Sequence, residues 1–482
     1  MAVLALFIGT SCSRAFFAPT VRTDSAAGPL RVHPTNPRYF TDGSGRVVYL
    51  TGSHERNNFT TFTPGWNGDP LLSFDFNAYL NMLERHNHNF IRLWAWEGIP
   101  SAPYERRGPG TALDGGPKYN LDRFDLGNLA SPQINSPHYF ERLRARVMAA
   151  RARGIYVSIM LFQGWSIQQL GRSNTWLTHP FNANNNIQGV NGDLDGNGQG
   201  QETHTLLDQG IVARQQAYIR QVIDTINDLD NVLYEISNEE KSWSADWQYH
   251  MIDYIHSYEA GKPKQHPVGM TCFYDTQNSP LWKSPAEWIS PGDEEDADYS
   301  SNPPPGTGSK VVIADIDHLG PSSTHTAWVW KSFVRGLNPI LLDIAINYPH
   351  RFPTDGRAAM GHTRWYADRI DLAAMTPRGD LTSTSYGLAD PENEYLIYQP
   401  AAGTGFTVNL AAGTYTYEWF DVSAGSVAAT GTIAVGTGNQ AFTPPFNKEA
   451  VLYLKRVGGH TIKRSSQDHK ILGAEQKSRI AQ

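Results

Sequence analysis

Eight short apolar runs are spread over residues 47–342, and stretches with helical spacing separate several of them. Residues 140–153 carry apolar side chains at helical intervals and precede Gly154, a residue type that commonly ends helices. Strands that alternate with helices form parallel sheets, and eight such units predict an α/β fold of the (β/α)8 TIM-barrel type. The eight runs are residues 47–50, 90–94, 156–161, 232–236, 268–270, 288–289, 311–314 and 339–342.

From about residue 377 the pattern changes to short alternating strands, with turn residues between them and no helical spacing. This pattern predicts a small antiparallel β-sandwich after the barrel. Tyr415, Tyr417 and Trp419 alternate in step, so they either line the sandwich core or form an exposed platform for a ligand. The predicted domains are a leader and linker at 1–30, the barrel at 31–376, the sandwich at 377–457, and a disordered polar tail at 458–482.

The composition narrows the class of protein. The chain has 482 residues, with 40 basic and 47 acidic side chains and a formal net charge of -7. Hydrophobic residues make up 40% and aromatic residues 11%, which is enough for a large core and excludes a largely disordered chain. The mild acidity, without any basic block, argues against nucleic-acid binding.

The first residues predict export. Residues 1–11 are apolar and lead into Cys12; the run is too short to span a bilayer and is typical of a secretory signal. Two alternatives stay open: an ordinary signal peptide, and a lipoprotein acylation site that would give Cys12 a lipid anchor. Either one predicts a secreted, cell-surface or periplasmic protein without a transmembrane span. Cys272 is the only other cysteine, so we expect no disulfide framework, and a monomer is the default.

Candidate chemistry lies at the end of the fourth run, where Asn238 and Glu239 follow one another. Cleavage of a glycosidic bond requires two carboxyl groups on opposite sides of the bond, one to protonate the leaving oxygen and one to attack or to activate water. The loops after barrel strands build the active-site face. Long insertions at residues 98–137 and 163–210 follow strand ends and are expected to shape the cleft.

The ordered set of motifs resembles glycoside hydrolase clan A, and within it the apiosidase-like (DUF4038) barrels that are followed by a C-terminal sandwich of the collagen-binding type. The resemblance covers nearly all of residues 31–456. It implies that Glu239 is the acid/base and that Asn238 hydrogen-bonds a sugar hydroxyl near the anomeric centre. The matching segments are residues 51–54, 90–94, 238–239, 314–319, 328–331, 335–336 and 338–340, with 390–398, 418–420, 445–446 and 451–454 in the sandwich.

The second carboxyl group is less clearly indicated. The clan places a Glu nucleophile at the end of strand seven, where this sequence has Asp315 and Asp317 instead. We favour Asp317, which lies nearer the mouth of the barrel, over Asp315; Asp343 at the end of strand eight ranks third and Glu97 last. We expect a retaining mechanism, but the Asp residues leave an inverting one open.

Arg92 lies inside the apolar second run, and a buried Arg requires a carboxylate partner. The resemblance implies that Arg92 holds the nucleophile ionised, whereas a structural salt bridge with Glu235 is the alternative. Further side chains at predicted strand ends are candidates for binding sugar hydroxyls or stacking on sugar faces. These are His54, Trp94, Trp96, Gln163, Trp165 and His318.

Residues 193–202 carry oxygen side chains at alternate positions with Gly in the turn, a spacing typical of a calcium-binding loop. Asp193, Asp195 and Asn197 would be ligands, and Glu202 could supply a further carboxylate. His204 occupies the place of the bidentate Glu in an EF-hand, so a flexible loop without metal is the alternative. Glycoside cleavage by two carboxyl groups requires no metal and no cofactor.

Two functions compete on this evidence. The first is an exported glycoside hydrolase acting on a plant or microbial polysaccharide through two carboxylates. The second is a non-catalytic carbohydrate- or matrix-binding adhesion protein on a barrel scaffold. The carboxylates that cluster at predicted strand ends favour the enzyme, because a binding module would tolerate neutral side chains there.

Overall fold

The computed structural model describes residues 28–55, 58–59, 62–63, 72–95, 121, 139–164, 167, 175–319, 325–343, 346 and 354–458. Outside this part of the chain lie residues 1–27 of the predicted leader and linker, with Cys12, and residues 459–482 of the predicted tail. The candidate rim residues Trp96, Glu97 and Trp165 lie outside it as well.

Eight parallel strands form the barrel, as the sequence predicts. They pair in the order β1-β8-β7-β6-β5-β4-β3-β2, so that β1 and β2 are the two ends of the sheet. The strands are β1 (Gly52–His54), β2 (Phe90–Leu93), β3 (Tyr156–Gln163), β4 (Val232–Asn238), β5 (Val268–Thr271), β6 (Trp288–Ser290), β7 (Val311–Asp315) and β8 (Asn338–Leu342).

The two ends of the sheet meet, so the barrel is nearly closed. Asn89 N donates to Thr51 O (3.0 Å), and Thr51 N donates to the side-chain oxygen of Asn89 (3.0 Å). Gly52 allows this approach, because a Cβ atom there would lie 2.1 Å from Phe90 O.

Seven helices accompany the strands in the described part of the chain, and several begin or end at the residues expected from helix-capping rules. Asp75 and Asp208 cap the first and third helices by accepting backbone N–H groups, and Gly154 adopts a left-handed φ of 67° just beyond the second. The helices are α1 (Phe76–Arg85), α2 (Tyr139–Arg151), α3 (Gln209–Ile226), α4 (Ala245–Glu259), α5 (Ser279–Lys283), α6 (His325–Val334) and α7 (Asp355–Ala367).

The prediction of a first strand at residues 47–50 is wrong. An N-terminal hairpin of Arg31–Val32 and Phe40–Thr41 lies beside this run, and Val48 N donates to Phe40 O (2.7 Å). Leu50 is fully buried in the same cluster as Phe40 and the first residues of several barrel strands. The run therefore helps to close the N-terminal end of the barrel, and the strand begins two residues later. A second short pair joins Phe62–Thr63 to Leu72–Ser73.

The C-terminal strands form the predicted antiparallel sandwich. A six-stranded sheet in the order β9-β10-β11-β16-β13-β14 faces the two-stranded sheet β12-β15. Tyr415 and Trp419 are buried in the core of the sandwich and Tyr417 packs against them, so these aromatic residues line the core. The strands are β9 (Thr376–Pro377), β10 (Gly387–Asp390), β11 (Glu394–Gln399), β12 (Phe406–Leu410), β13 (Gly413–Asp421), β14 (Ser426–Val435), β15 (Gly438–Phe442) and β16 (Ala450–Arg456).

The outer face of the six-stranded sheet packs on the barrel. Trp330 of α6 stacks on Tyr398 with ring centroids 6.2 Å apart. Glu418 of β13 accepts hydrogen bonds from the Tyr366 hydroxyl (2.7 Å) and from Arg369 Nη2 (2.9 Å). The barrel-facing residues of this sheet, such as Tyr398, thus belong to the same hydrophobic cluster as the barrel, whereas the interior of the sandwich forms its own cluster.

Candidate active site

Arg92 occupies the centre of a buried polar network at the C-terminal end of the barrel. Its Nε and Nη2 donate to the two oxygens of Glu235 (2.8 and 2.5 Å), and its Nη1 donates to Asp315 Oδ2 (2.7 Å). Nη1 also lies 3.4 Å from Asp317 Oδ2, and Nη2 donates to Asn238 Oδ1 (2.7 Å). Arg92 therefore forms the predicted salt bridge with Glu235 and also contacts both candidate Asp residues, so its role towards a nucleophile stays a prediction.

The charges in this network determine its protonation. Burial by itself would lower the pKa of Arg92, but Glu235 and Asp315 outweigh burial and raise it, so the guanidinium stays charged. Burial raises the pKa of Glu235 despite its contact with Arg92. One buried cation thus faces three carboxyl groups, an arrangement that depends on their mutual hydrogen bonds.

Asp315 is completely buried and both of its oxygens are occupied. Oδ1 accepts from His54 Nε2 (3.0 Å) and from Asp317 N (3.0 Å), and Oδ2 accepts from Arg92 Nη1 (2.7 Å). Burial favours the neutral acid, but His54 and Arg92 outweigh it and hold the pKa of Asp315 well below its usual range. Asp315 is therefore held ionised, with both of its oxygens hydrogen-bonded inside the barrel.

Asp317 is placed differently. Strand β7 ends at Asp315, and residues 316–318 form a 3-10 turn that brings Asp317 towards the mouth of the barrel. Its side chain is 8% exposed, whereas that of Asp315 is fully buried. Burial is the largest cause that raises the pKa of the Cys272 thiol and of the Tyr274 hydroxyl, and the negative charges of Glu239 and Asp317 are the next largest. The two carboxylates Glu239 and Asp317 therefore share one neighbourhood.

Glu239 directly follows β4 and is 7% exposed. Its backbone adopts a left-handed φ of 56°, which is uncommon for a residue with a side chain and is frequent at functional sites. Burial and then the charge of Glu239 raise the pKa of the Tyr274 hydroxyl, so this hydroxyl lies close to the Glu239 carboxylate. Tyr274 itself is 46% exposed. Sequence reasoning missed Tyr274, although it lies three residues after the end of β5 and the strand-end rule could have found it.

Asn238 and His318 join β4 to the turn after β7. His318 Nε2 donates to Asn238 Oδ1 (3.1 Å), and its Nδ1 accepts from the Ser290 hydroxyl (3.2 Å). Burial and the charge of Arg92 lower the pKa of His318 to about 4, so this imidazole is neutral near pH 7. The Asn238 side chain is fully buried, and its Nδ2 has no hydrogen-bond partner among the described residues. Asn238 Nδ2 thus keeps an N–H group that no described residue accepts.

Three further predicted residues line the same end of the barrel. Trp94 Nε1 donates to His54 Nδ1 (3.1 Å), and the two rings stack. Because an indole N–H can only donate, His54 Nδ1 accepts from Trp94, while Nε2 of the same ring faces Asp315. Gln163 is buried at the end of β3, in register with Asn238. The structure thus brings His54, Trp94 and Gln163 together with Asn238, and Trp94 packs against His54 instead of presenting an open face.

Asp343 lies at the end of β8, where Arg357 of α7 holds it. Arg357 Nε donates to Asp343 Oδ2 (2.5 Å) and Nη2 donates to Oδ1 (2.8 Å). The backbone N of Asp343 donates to His54 O (2.8 Å). With both oxygens engaged, Asp343 fits a structural role better than that of a nucleophile.

The second insertion carries the residues that could hold a cation. Ligand atoms of Asp193, Asp195 and Glu202 lie within 4.8 Å of one another. The Asn197 side chain is engaged within the loop, since its Nδ2 donates to Asp195 Oδ2 (2.9 Å) and its Oδ1 accepts from Gln199 N (2.8 Å). Three carboxylates converge as calcium binding would require, and calcium stays a prediction.

The two insertions contact each other at Leu121. Leu121, from the first insertion, is buried against Trp176, Phe181 and Ile211. Its backbone N donates to the Gln188 side chain (3.1 Å).

Among the described residues, no helix combines the length and the apolar character needed to cross a bilayer.

Comparison with known proteins gives matches in structure only; no protein-family model and no curated protein sequence matches the chain. A solved structure described as a glycoside hydrolase aligns with a TM-score of 0.60 over 90% of this chain and 98% of its own, at 12% sequence identity. A glycoside hydrolase family 5 structure from Bacteroides vulgatus ATCC 8482 gives a TM-score of 0.57 over 91% of this chain and 95% of its own, at 11% identity. The chain therefore shares the fold of solved glycoside hydrolases.

Proposed function

We propose that the protein is an exported glycoside hydrolase that cleaves a plant or microbial polysaccharide. Glu239 is the acid/base and Asp317 is the nucleophile, while Arg92 and Asp315 position Asp317. Within the glycoside hydrolases we assign the barrel to the apiosidase-like type, on the sequence resemblance. The predicted leader in residues 1–30 supports export.

The observation that carries the proposal is the environment of Asn238 and Glu239. Arg92 and His318 hold Asn238 through its Oδ1, and its Nδ2 has no partner among the described residues, so we assign this N–H group to a substrate hydroxyl. The next residue is a carboxylate held in a left-handed conformation, and Asp317 lies in the same neighbourhood. A hydroxyl-rich substrate with one labile bond between two carboxyl groups matches this set.

The reaction proceeds in two steps. In the first, the protonated Glu239 donates its proton to the leaving oxygen while Asp317 attacks the anomeric carbon, which gives a glycosyl ester and a free leaving group. In the second, Glu239 takes a proton from water as that water displaces Asp317. The configuration at the anomeric carbon is retained. The Tyr274 hydroxyl lies close to the Glu239 carboxylate, and Asn238 Nδ2 binds a hydroxyl beside the reacting carbon.

The test is an assay of reducing sugars and products over a panel of plant and microbial polysaccharides, with wild type beside Glu239→Gln. Circular dichroism of both proteins checks their folding. We expect wild type to release a defined sugar and the folded variant to lose this activity, and proton NMR of the first product formed to show the retained anomer. Release of sugar by neither protein, together with binding to a glycan, would favour the adhesion alternative. Equal release by both would remove Glu239 from the mechanism.

A further inference from the structure

Glu240, the residue after the proposed acid/base, is buried in a site of its own. It is 1% exposed, and its Oε1 accepts from the Ser237 hydroxyl (2.6 Å) and from His204 Nδ1 (2.6 Å). The proposed mechanism gives this carboxylate no role, although it lies at the end of the strand that carries Glu239. A buried carboxylate with two short hydrogen bonds is a strong and directional anchor.

His204 connects this anchor to the second insertion. It ends the 3-10 turn Gln201–His204, and its ring is fully buried. The ring stacks on Trp247 of α4 at a centroid distance of 4.2 Å and an angle of 5°. The end of the insertion is therefore fixed against the barrel at the point where it reaches Glu240.

Glu240 also joins the ends of three neighbouring strands. On the β3 side it packs against Gly164, where a Cβ atom would lie 2.5 Å from the Glu240 carboxyl carbon. On the β5 side its backbone O accepts from Tyr274 N (3.0 Å). The residue thus holds Glu239 on one side and, through its own backbone, holds the tyrosine whose hydroxyl lies close to Glu239.

We propose that Glu240, clamped by His204 and Ser237, is a positioning residue that fixes the left-handed backbone of Glu239 and thereby its orientation as acid/base. A non-glycine residue keeps a φ of 56° only when its surroundings enforce it, and the Glu240 contacts are the enforcing set beside it. This inference rests on the proposed function, because it assigns Glu240 to the acid/base step.

The main test compares Glu240→Ala with Glu259→Ala. Glu259 offers a matched control, since it is also buried and paired with a histidine, His266 Nδ1 (2.8 Å), but lies at the N-terminal end of the barrel. The substrates are the glycan cleaved by wild type and the 2,4-dinitrophenyl glycoside of the released sugar, whose leaving group departs without a proton. We expect Glu240→Ala to lower kcat on the glycan by about 100-fold, the effect of a small misplacement of a catalytic group. KM should stay unchanged and the loss on the dinitrophenyl glycoside should be much smaller.

The pH profile and two further variants separate positioning from general damage. The limb of kcat/KM that reports the acid should shift in Glu240→Ala and stay in place in Glu259→Ala. His204→Ala removes the hydrogen bond between His204 and Glu240 from the histidine side and should reproduce the loss of kcat on the glycan. This variant keeps the inference testable even if Glu240→Ala does not fold. His204→Asn keeps an N–H donor and should restore most of the activity.

Equal losses on both substrates with an unshifted pH profile would overturn the inference, and so would full activity in His204→Ala. Hydrogen–deuterium exchange of residues 200–206 and 238–241 gives a readout that does not depend on turnover. Faster exchange there in His204→Ala, but not in Glu259→Ala, is expected. If exchange rises as expected while wild type cleaves no glycan, the proposed function fails together with the catalytic role, and the anchoring contact alone is established.

Discussion

Strand β4 meets a buried charged cluster at each of its ends, and the two clusters differ in how completely they are hydrogen-bonded. At the N-terminal end, Glu259 accepts from Asn227 (2.9 Å), the Tyr234 hydroxyl (3.1 Å) and both backbone N and Nδ1 of His266 (2.7 and 2.8 Å). His266 Nε2 donates to Leu229 O (2.9 Å). Every polar side-chain atom of Glu259 and His266 has a partner.

At the C-terminal end the hydrogen bonding is incomplete. Asn238 Nδ2 has no partner within the described part of the chain, and the side chains of Glu239 and Asp317 reach the surface. Other buried polar atoms of the described residues, such as Asn231 Oδ1 and Trp288 Nε1, also have no partner, so the unpartnered donor alone does not distinguish this end. Its combination with two carboxylates that reach the surface does, and this combination fits the proposed chemistry, whereas the cluster at the N-terminal end fits a role in stability.

The largest expected effect comes from replacing, one at a time, the two Asp residues of the C-terminal cluster, Asp315 and Asp317. Asp315→Asn should lower the free energy of unfolding by about 3–5 kcal/mol, because it removes one member of a buried ion pair. Asp317→Asn should abolish turnover and leave stability nearly unchanged. Urea unfolding and the glycan assay measure the two effects. If Asp315→Asn were stable and inactive while Asp317→Asn kept its activity, the roles would be exchanged.

The pH dependence of stability should follow His318. Its pKa of about 4 in the folded protein lies below the value of about 6.5 in an unfolded chain, so the unfolded chain takes up the proton first as the pH falls. Above about pH 6.5 the titration of His318 costs no stability. As the pH falls towards about 4, the free energy of unfolding should decrease by about 3 kcal/mol, because each unit of pKa difference corresponds to about 1.4 kcal/mol.

The matched variant for this prediction is His318→Gln, which keeps a neutral N–H donor. Urea unfolding of both proteins between about pH 7 and about pH 4 should show a shallower loss in the variant. Burial lowers the pKa of His88 to about 3 and that of His362 to about 4, so these groups act in the same direction in both proteins and cancel in the comparison. Identical slopes would contradict the prediction.

The cluster of Glu259 and His266 at the N-terminal end of β4 should affect stability alone. Glu259→Ala leaves several buried donors without an acceptor, which costs about 1–3 kcal/mol for each unsatisfied group. Thermal unfolding should show the lower stability, and the glycan assay on the folded variant should give wild-type kcat. A lost kcat would mean that the two ends of β4 do not separate as described.

The smallest expected effect concerns calcium. If Asp193, Asp195 and Glu202 bind Ca²⁺ with a dissociation constant of about 0.1–1 mM, about 1 mM calcium should stabilise the protein by about 0.4–1.4 kcal/mol. Thermal unfolding in EDTA and in calcium measures the difference, and Asp195→Asn should abolish it. Equal stability in both solutions for wild type would leave the loop without a metal.

Most of the barrel could be predicted because strands β2 to β8 are buried apolar runs bounded by polar residues. The first strand could not, since Gly52–His54 is neither apolar nor long, and the neighbouring run 47–50 serves to close the barrel. Glu239 and Arg92 were accessible to sequence reasoning, because a strand end and a charge inside an apolar run are visible in one dimension.

The residues that sequence reasoning missed depend on contacts between distant segments. Glu240 and His204 are 36 positions apart, and the Glu240 carboxylate is indistinguishable from a solvated one in the sequence. The sequence does favour Asp317 over Asp315 as the residue nearer the mouth of the barrel. The 3-10 turn at Ile316–His318, which leaves the Asp317 side chain 8% exposed while Asp315 is fully buried, could not be read from the spacing of two residues.

The central claim is that catalysis belongs to the C-terminal end of β4 and stability to its N-terminal end. The most direct test is the glycan assay on folded Glu239→Gln and Glu259→Ala, with the melting temperature of each. We predict that Glu239→Gln loses activity by about 10²–10⁴-fold, the typical contribution of a general acid, and keeps its melting temperature. Glu259→Ala should lose thermal stability and keep kcat. Turnover that survives in Glu239→Gln, or that falls equally in both variants, would contradict the assignment of catalysis to the C-terminal end of the barrel.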